Sequence, residues 1–196
     1  EYGGRISSVL DVNSREGNNK KLTGSLGVGL LTAKGHLEGP VGDKTTFIMG
    51  GRATYSDWLL SLLPDDSEYN NGSASFYDVT AGITHRFNEN NSVHINGYYS
   101  IDDFSFSADT TYKYQNANAS IKWKSNFGEK TSMELSGGFD HYDYSTCDKY
   151  NPLNAYEMTF KIEQAFGKLK FKSLLSEKHT VTYGADAVSY RLAPGN

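Results

Sequence analysis

Polar and apolar residues alternate with a period of two along most of this chain, and this pattern constrains the fold more than any other feature. From Val93 to Ile101 the odd positions are aliphatic, glycine or tyrosine, whereas the even positions between them are His, Asn, Tyr and Ser. Because successive side chains of a strand point to opposite faces of a sheet, such a segment predicts a strand with one apolar and one polar face. The pattern recurs in six further windows: 47–55, 77–87, 117–123, 133–139, 165–171 and 181–187.

Two kinds of connection alternate between these windows. Short ones near 39–43, 88–91, 128–130 and 176–178 are rich in turn-forming residues, and longer ones lie at 64–73, 105–109 and 146–154. Short turns at one edge and long loops at the other are typical of a transmembrane β-barrel. The predicted fold is therefore all-β: an antiparallel up-and-down meander that forms part of such a barrel.

The same reading gives the positions of the elements. We predict a leading strand near 5–13, a linker at 17–21, and nine strands at about 22–29, 31–39, 44–55, 75–87, 92–104, 110–127, 131–144, 155–174 and 179–192. A run of apolar residues from Trp58 to Leu63 predicts a helical turn within a loop. The alternation changes phase after Ile162 and again at Ala187 and Val188, which indicates either β-bulges or a change of environment near the external rim.

The choice between lipid and a soluble core depends on the composition of the apolar phase. None of its 32 positions in the seven windows is Asp, Glu, Lys or Arg, and eleven are Gly or Ala. Both lipid and a protein core exclude charge, but a soluble core must be filled to high density by bulky side chains. Lipid tails can fill the space beside small residues, so the composition favours a membrane barrel. The mean hydropathy of −0.56 agrees with this, since only every second strand residue would face lipid.

Two sets of residues follow from this assignment. The polar phase supplies candidates for the lumen of the barrel: Arg52, Arg86, His94, Lys122 and Glu134. The apolar phase supplies candidates for contact with lipid: Met49, Val79, Ile95, Ala119, Ile121, Leu135 and Leu169.

Catalytic, metal and nucleic-acid sites are not indicated. The five histidines are scattered singly, whereas a zinc site needs three or four convergent ligands, and Cys147 has no histidine adjacent to it in the sequence. A net charge of −4 without a basic run does not favour nucleic acid as a partner. We therefore expect neither an enzyme, nor a cofactor, nor a bound metal.

The first 60 residues carry a more specific signal. The stretch Tyr2 to Val12, followed by Arg15-Glu16-Gly17, resembles the end of the plug domain in TonB-dependent outer-membrane receptors, especially those of Bacteroidota. The segment from Gly24 to Val41 is similar to the first barrel hairpin of that family, and Gly51 to Tyr55 to the strand that follows.

This resemblance implies a division of the chain and a set of partners. Residues 1–19 would be the C-terminal end of the plug with its linker, and 20–196 the N-terminal portion of a barrel of about 22 strands. The implied protein binds a nutrient, such as a siderophore, vitamin, glycan or peptide, and imports it with energy from TonB. Its implied partners are outer-membrane lipid, TonB through a segment outside this chain, the rest of the plug and barrel, and a surface lipoprotein.

Two alternatives remain open at this point. One is a soluble or surface-exposed β-sheet protein used for adhesion or binding. The other is a small eight-stranded outer-membrane barrel, if the first hairpin is counted wrongly.

Overall fold

The computed structural model describes residues 14–62, 72–105, 110–148 and 155–195, together with the single positions 6, 8 and 64. The predicted leading strand near 5–13 lies outside the continuous part of this description. Within the described residues the elements are β1 (Thr23–Val28), β2 (Thr32–Pro40), β3 (Thr45–Thr54), α1 (Asp57–Leu60), β4 (Ser73–Asn88), β5 (Asn91–Ser105), β6 (Thr110–Phe127), β7 (Thr131–Asp148), β8 (Tyr156–Ser176) and β9 (His179–Pro194).

All nine strands belong to one sheet, in which each strand pairs antiparallel with its sequence neighbours in the order β1 to β9. This confirms the predicted all-β meander and its nine strands. The short helix α1 falls in the apolar run predicted to form a helical turn, and no helix among the described residues is long and apolar enough to cross a membrane.

The short connections are tight turns whose backbone depends on glycine in two cases. Gly42 follows β2 with a φ of 75°, and Gly128 follows β6 with a φ of 68°. Residues with a Cβ rarely adopt this left-handed conformation, so glycine at these positions fixes where the chain reverses.

The register assigns every strand residue to one of two faces. Directly paired residues of an antiparallel sheet lie on the same face. In β2 to β9, paired residues are both even-numbered or both odd-numbered, except Asn88 with Asn91 and Ser176 with His179 beside two turns. Between β1 and β2, an odd-numbered residue pairs with an even-numbered one, as in Thr23 with Glu38. Within β2 to β9, for example, Arg52 pairs with Asp78, and Met49 pairs with Ala81. We call the two surfaces the even face and the odd face.

The even face thus carries the even-numbered residues of β2 to β9 up to the turns, and the odd face carries the odd-numbered ones. In β1 the numbering is offset by one, so Thr23 and Ser25 lie on the even face and Leu26 on the odd face. All five predicted lumen residues lie on the even face, and all seven predicted lipid residues lie on the odd face. The structure therefore separates the two predicted sets onto opposite surfaces of the sheet.

The expectation of bulges at the two changes of phase is wrong. The pairing of β7 with β8 runs without a shift past Ile162, and the pairing of β8 with β9 runs without a shift past Ala187 and Val188. Register shifts occur instead beside two short turns, between Arg86 and Asn88 and between Leu174 and Ser176. The backbone is regular where the sequence pattern changes, which leaves the other explanation, a change of environment, open.

The sheet is a single layer, and this determines how its side chains are buried. No apolar side chain among the described residues is buried, while odd-face residues such as Val79 and Ile95 are each 49% exposed. An apolar sheet face is normally covered by a second layer of structure or by another apolar medium. The odd face of this sheet therefore needs a cover from outside the described residues.

Candidate functional site

A short segment that precedes β1, residues 14–18, lies against the even face near the short-turn edge of the sheet. We call it the junction segment. The Ser14 hydroxyl donates a hydrogen bond of 2.9 Å to the side-chain oxygen of Asn96 on β5. At the other end of the segment, the backbone N–H of Asn18 donates to a carboxylate oxygen of Glu38 on β2, at 3.0 Å. The segment therefore reaches across several strands.

Glu38 is the main attachment point of the junction segment. The Arg15 guanidinium donates to both carboxylate oxygens, with Nη1 2.5 Å from Oε2 and Nη2 2.9 Å from Oε1. Glu38 is only 7% exposed, so its charge is largely removed from water and is compensated by these donors. Hydrogen bonding to Glu38 also raises the pKa of Arg15 above its usual value.

A second ion pair ties the same segment to the neighbouring strands. Arg86 on β4 donates to one carboxylate oxygen of Glu16, and Nε2 of His94 on β5 lies 3.9 Å from the other. Two of the predicted lumen residues, Arg86 and His94, thus face the chain segment that leads into the sheet.

Gly17 is required for the close approach of this segment to β3. A Cβ at position 17 would stand 2.1 Å from the carbonyl oxygen of Phe47, closer than real Cβ contacts occur. The absence of a side chain lets the two backbones touch, a common reason for glycine at such a position. Beside the contact lies a cavity of about 350 Å³, bounded by the junction segment, Glu38, Lys44, Thr84 and Arg86.

The remaining predicted lumen residues pair with other groups on the even face. Arg52 donates to Asp78 and lies over the ring of Phe76, 5.3 Å from its centroid. Lys122 Nζ is 3.8 Å from Glu134 Oε1. The structure thus does not gather the five residues into one cluster, and only Arg86 and His94 belong to the junction.

The predicted lipid residues form a different kind of surface. Met49, Ile121 and Leu135 are 45%, 50% and 43% exposed, and Ala119 is also exposed. Leu169 is half-buried by its neighbours on the sheet. Side chains of this kind offer no polar group, so the surface can be covered only by an apolar medium or an apolar partner.

Towards the long-loop edge, the even face becomes aromatic. Rings from four adjacent strands stand beside one another: the centroids of Phe104 and Tyr114 are 5.8 Å apart, those of Tyr114 and Tyr144 4.9 Å, and those of Tyr144 and Phe160 5.8 Å. We call these four residues the aromatic row. Next to it lies a cavity of about 440 Å³, lined in part by Tyr98, Asn116, Asp140, Tyr142 and Gln164.

Neither of these regions has the composition of a metal centre, since the described residues contain no group of three or more His, Cys, Asp or Glu side chains placed to hold an ion. Arg15, Glu16 and Glu38 are functional candidates that the alternating pattern did not predict as a unit. One signal was available: Glu38 is a charged residue on the polar phase of β2, beside the tight turn and within reach of the chain that enters β1.

Comparison with known proteins identifies the fold. No protein family and no curated protein matches the sequence. Among solved structures, a variant of the ferric enterobactin receptor PfeA from Pseudomonas aeruginosa superposes with a TM-score of 0.63 at 12% identity, over 87% of this chain and 30% of that one. BauA, the ferric preacinetobactin receptor from Acinetobacter baumannii, gives a TM-score of 0.63 at 11% identity, over 90% of this chain and 31% of that one.

The fold is that of part of an outer-membrane β-barrel. One of the two similar structures is a receptor for ferric enterobactin and the other is a receptor for ferric preacinetobactin. At identities of 11% and 12% the likeness concerns the fold and not the ligand, and the chain spans less than a third of the length of either structure.

Proposed function

We propose that this chain is part of a TonB-dependent outer-membrane receptor of the Bacteroidota type, which binds a nutrient outside the cell and imports it. In this proposal, residues 1–19 are the end of the plug and its linker, and residues 20–196 are the first part of the barrel wall. The even face lines the lumen, and the odd face contacts lipid.

The observation that carries the proposal is the position of the junction segment. It enters the sheet from the even face and is held there by Glu38, Arg86 and Asn96 on three different strands. A segment of the same chain that lies along one face makes that face an interior surface. The opposite face, which is apolar between the short turns and its long-loop end, is then the outer wall, which is the arrangement expected where a plug meets its barrel.

The single-layer sheet weighs against a soluble sandwich. A soluble β-protein buries one face of each sheet against a second layer, and the described residues contain no buried apolar side chain. An eight-stranded barrel is also disfavoured, because β1 and β9 lie at opposite ends of the described sheet and the two solved structures are matched over less than a third of their length.

Fractionation of the complete gene product tests the location. We expect the protein to sediment with outer membranes, to need detergent for extraction, and to migrate differently on gels before and after heating. Release in soluble form without detergent would overturn the proposal.

Uptake measurements test the transport activity. Cells with and without the gene, each with and without TonB, are supplied with radiolabelled ferric siderophore, cobalamin, peptide and oligosaccharide. We expect uptake of one of these compounds to require both the gene and TonB. If no compound in the four classes shows that double requirement, the import proposal is wrong.

A further inference from the structure

The apolar surface of the odd face ends along a definite line, which can be traced from strand to strand. Towards the long-loop edge, the apolar run of the odd face ends at Tyr77 on β4, Ile101 on β5, Ala117 on β6, Phe139 on β7, Ala165 on β8 and Ala187 on β9. Two positions further towards that edge, every one of these strands has a polar residue: Ser75, Asp103, Gln115, His141, Glu163 and Ser189.

This line does not follow the hydrogen-bonded rows of the sheet. Tyr77 pairs with Ile101, but Ala117 pairs with Tyr99, two residues lower on β5. Phe139 pairs with Ala119, another two residues lower, and Ala187 pairs with Gly167, two residues lower again. From β4 to β9 the line descends in one direction, by two residues at three of the five strand pairs and by none between β4 and β5 or between β7 and β8.

The slope of the line can be compared with the geometry of a barrel. A descent of about six residues at about 3.3 Å each, over five strand spacings of about 4.8 Å, corresponds to an angle of about 40°. Strands of outer-membrane barrels are tilted by about 35–45°. A plane perpendicular to the barrel axis therefore cuts the rows of the sheet at the angle that is found here.

The height of the apolar surface agrees with the same interpretation. On β5 it extends from Val93 to Ile101, and nine residues at about 3.3 Å, tilted by about 40°, span about 23 Å along the barrel axis. The apolar band of outer-membrane barrels is about 25 Å tall.

Beyond the line, the two faces of the sheet exchange their character. On the odd face, His141 Nδ1 lies 3.6 Å from Glu163 Oε1, and Lys161 Nζ lies 3.4 Å from Asp143 Oδ2. On the even face at this height stand the aromatic rings of the aromatic row. Charged groups are stable in water and among lipid headgroups, but not in hydrocarbon. A Lys or Arg at the middle of the bilayer lowers the stability of a barrel by about 2–4 kcal/mol.

We infer that this line is the outer limit of the hydrocarbon layer, so that the odd-face ion pairs of β7 and β8 stand among headgroups or water and the loop-end parts of β5 to β8 project from the membrane. The occupant of the odd face below the line is lipid hydrocarbon. The inference rests on the proposed function, because it requires a membrane-embedded barrel, and it adds the position of the boundary on each strand. It also explains the change of phase after Ile162 without any bulge.

One hydrogen-bonded row provides a direct test. Tyr99, Ala117, His141 and Glu163 lie in the same row, but the line passes between Ala117 and His141. Tyr99 is exposed and the Glu163 side chain is 36% exposed, so the sheet itself buries neither position. A boundary parallel to the rows would place both in the same medium.

The experiment uses the complete protein, with Cys147 and any other cysteines replaced by serine, reconstituted into vesicles. Y99C and E163C are each labelled with bimane, and quenching is compared between ordinary and brominated phosphatidylcholine, with Y98C on the even face as the matched control. We expect strong quenching at position 99 and little at positions 98 and 163.

Equal quenching at positions 99 and 163 in protein that is inserted and heat-modifiable would overturn the inference but leave the proposed function intact. Failure of the wild-type protein to insert into vesicles or outer membranes would overturn both.

Discussion

Arg15 and Glu38, which are 23 positions apart in the sequence, form a two-pronged ion pair at the point where the chain enters the sheet. Arg15 belongs to the junction segment and Glu38 to β2, so the pair connects the chain before the sheet to the sheet itself. Because the carboxylate of Glu38 also accepts the Asn18 N–H, one side chain fixes both the side chain and the backbone of this segment. The first prediction concerns this contact.

Glu38→Gln should loosen the junction segment. Glutamine keeps the size of the side chain but loses the charge, and it replaces one acceptor oxygen by a donor that faces the Arg15 guanidinium. In detergent-solubilised complete protein, we expect trypsin to cleave after Arg15 several-fold faster than in the wild type. Glu129→Gln, in the exposed turn after β6, serves as the control and should not change the rate. An unchanged rate in Glu38→Gln would show that the ion pair does not hold the segment.

Gly17→Ala should disturb the same segment by a steric route. The new Cβ would meet the Phe47 carbonyl at 2.1 Å, so the backbone must move away from β3. Overpacking of this kind typically costs about 1–3 kcal/mol, measurable as a lower free energy of unfolding in urea. Gly167→Ala, where no atom lies within 4 Å of the added Cβ, is the matched control. Equal stability of the two variants would contradict the close approach of Gly17.

Ala119→Lys should impair insertion into the membrane. Ala119 lies within the apolar part of the odd face on β6, where a lysine costs about 2–4 kcal/mol if the face contacts the bilayer interior. The adjacent Ser120→Lys places the same charge on the even face, where we expect a smaller loss. Stability in lipid vesicles and the amount of heat-modifiable protein in outer membranes are the measurements. Equal losses for the two lysines would mean that the two faces do not differ in this way.

The aromatic row should contribute coupling energy across β6 and β7. Tyr114 and Tyr144 have ring centroids 4.9 Å apart, and aromatic pairs of this kind contribute about 0.5–1.5 kcal/mol beyond the area that they bury. A double-mutant cycle with Tyr114→Ala and Tyr144→Ala isolates that energy from the cost of each truncation. A coupling energy of zero would show that the rings are only neighbours. Tyr114→Ala combined with Ser136→Ala, which lies on a distant part of β7, should show no coupling.

Much of the sheet could be predicted from the sequence, because its faces meet different surroundings. The alternation around Ile95 and Asn96 reflects the two faces directly, and the turn residues around Gly128 mark where β6 ends and β7 begins. The predictions of strand ends towards the long loops were less accurate. For example, β7 continues to Asp148, beyond the predicted end at 144. There the alternation changes phase while the backbone pairing continues without a shift.

The contacts of the junction segment could not be predicted from periodicity. Arg86 and His94 were expected to face an interior, but their partner Glu16 is 70 positions away from Arg86 in the chain. An alternating pattern shows on which face a side chain lies, but not which distant segment crosses that face. The pairing register had to be known before Glu38, Arg86 and Asn96 could be placed beside one another.

A labelling scan along β6 tests the central claim, that the odd face contacts lipid and the even face is interior. Single cysteines at positions 117 to 123 of the complete protein, reconstituted in vesicles, are labelled with nitroxide, and relaxation by oxygen is compared with relaxation by a water-soluble nickel complex. We predict that access to oxygen rises at positions 117, 119, 121 and 123 and falls at 118, 120 and 122. Maxima at the even positions, or no period of two, would contradict the assignment of the two faces.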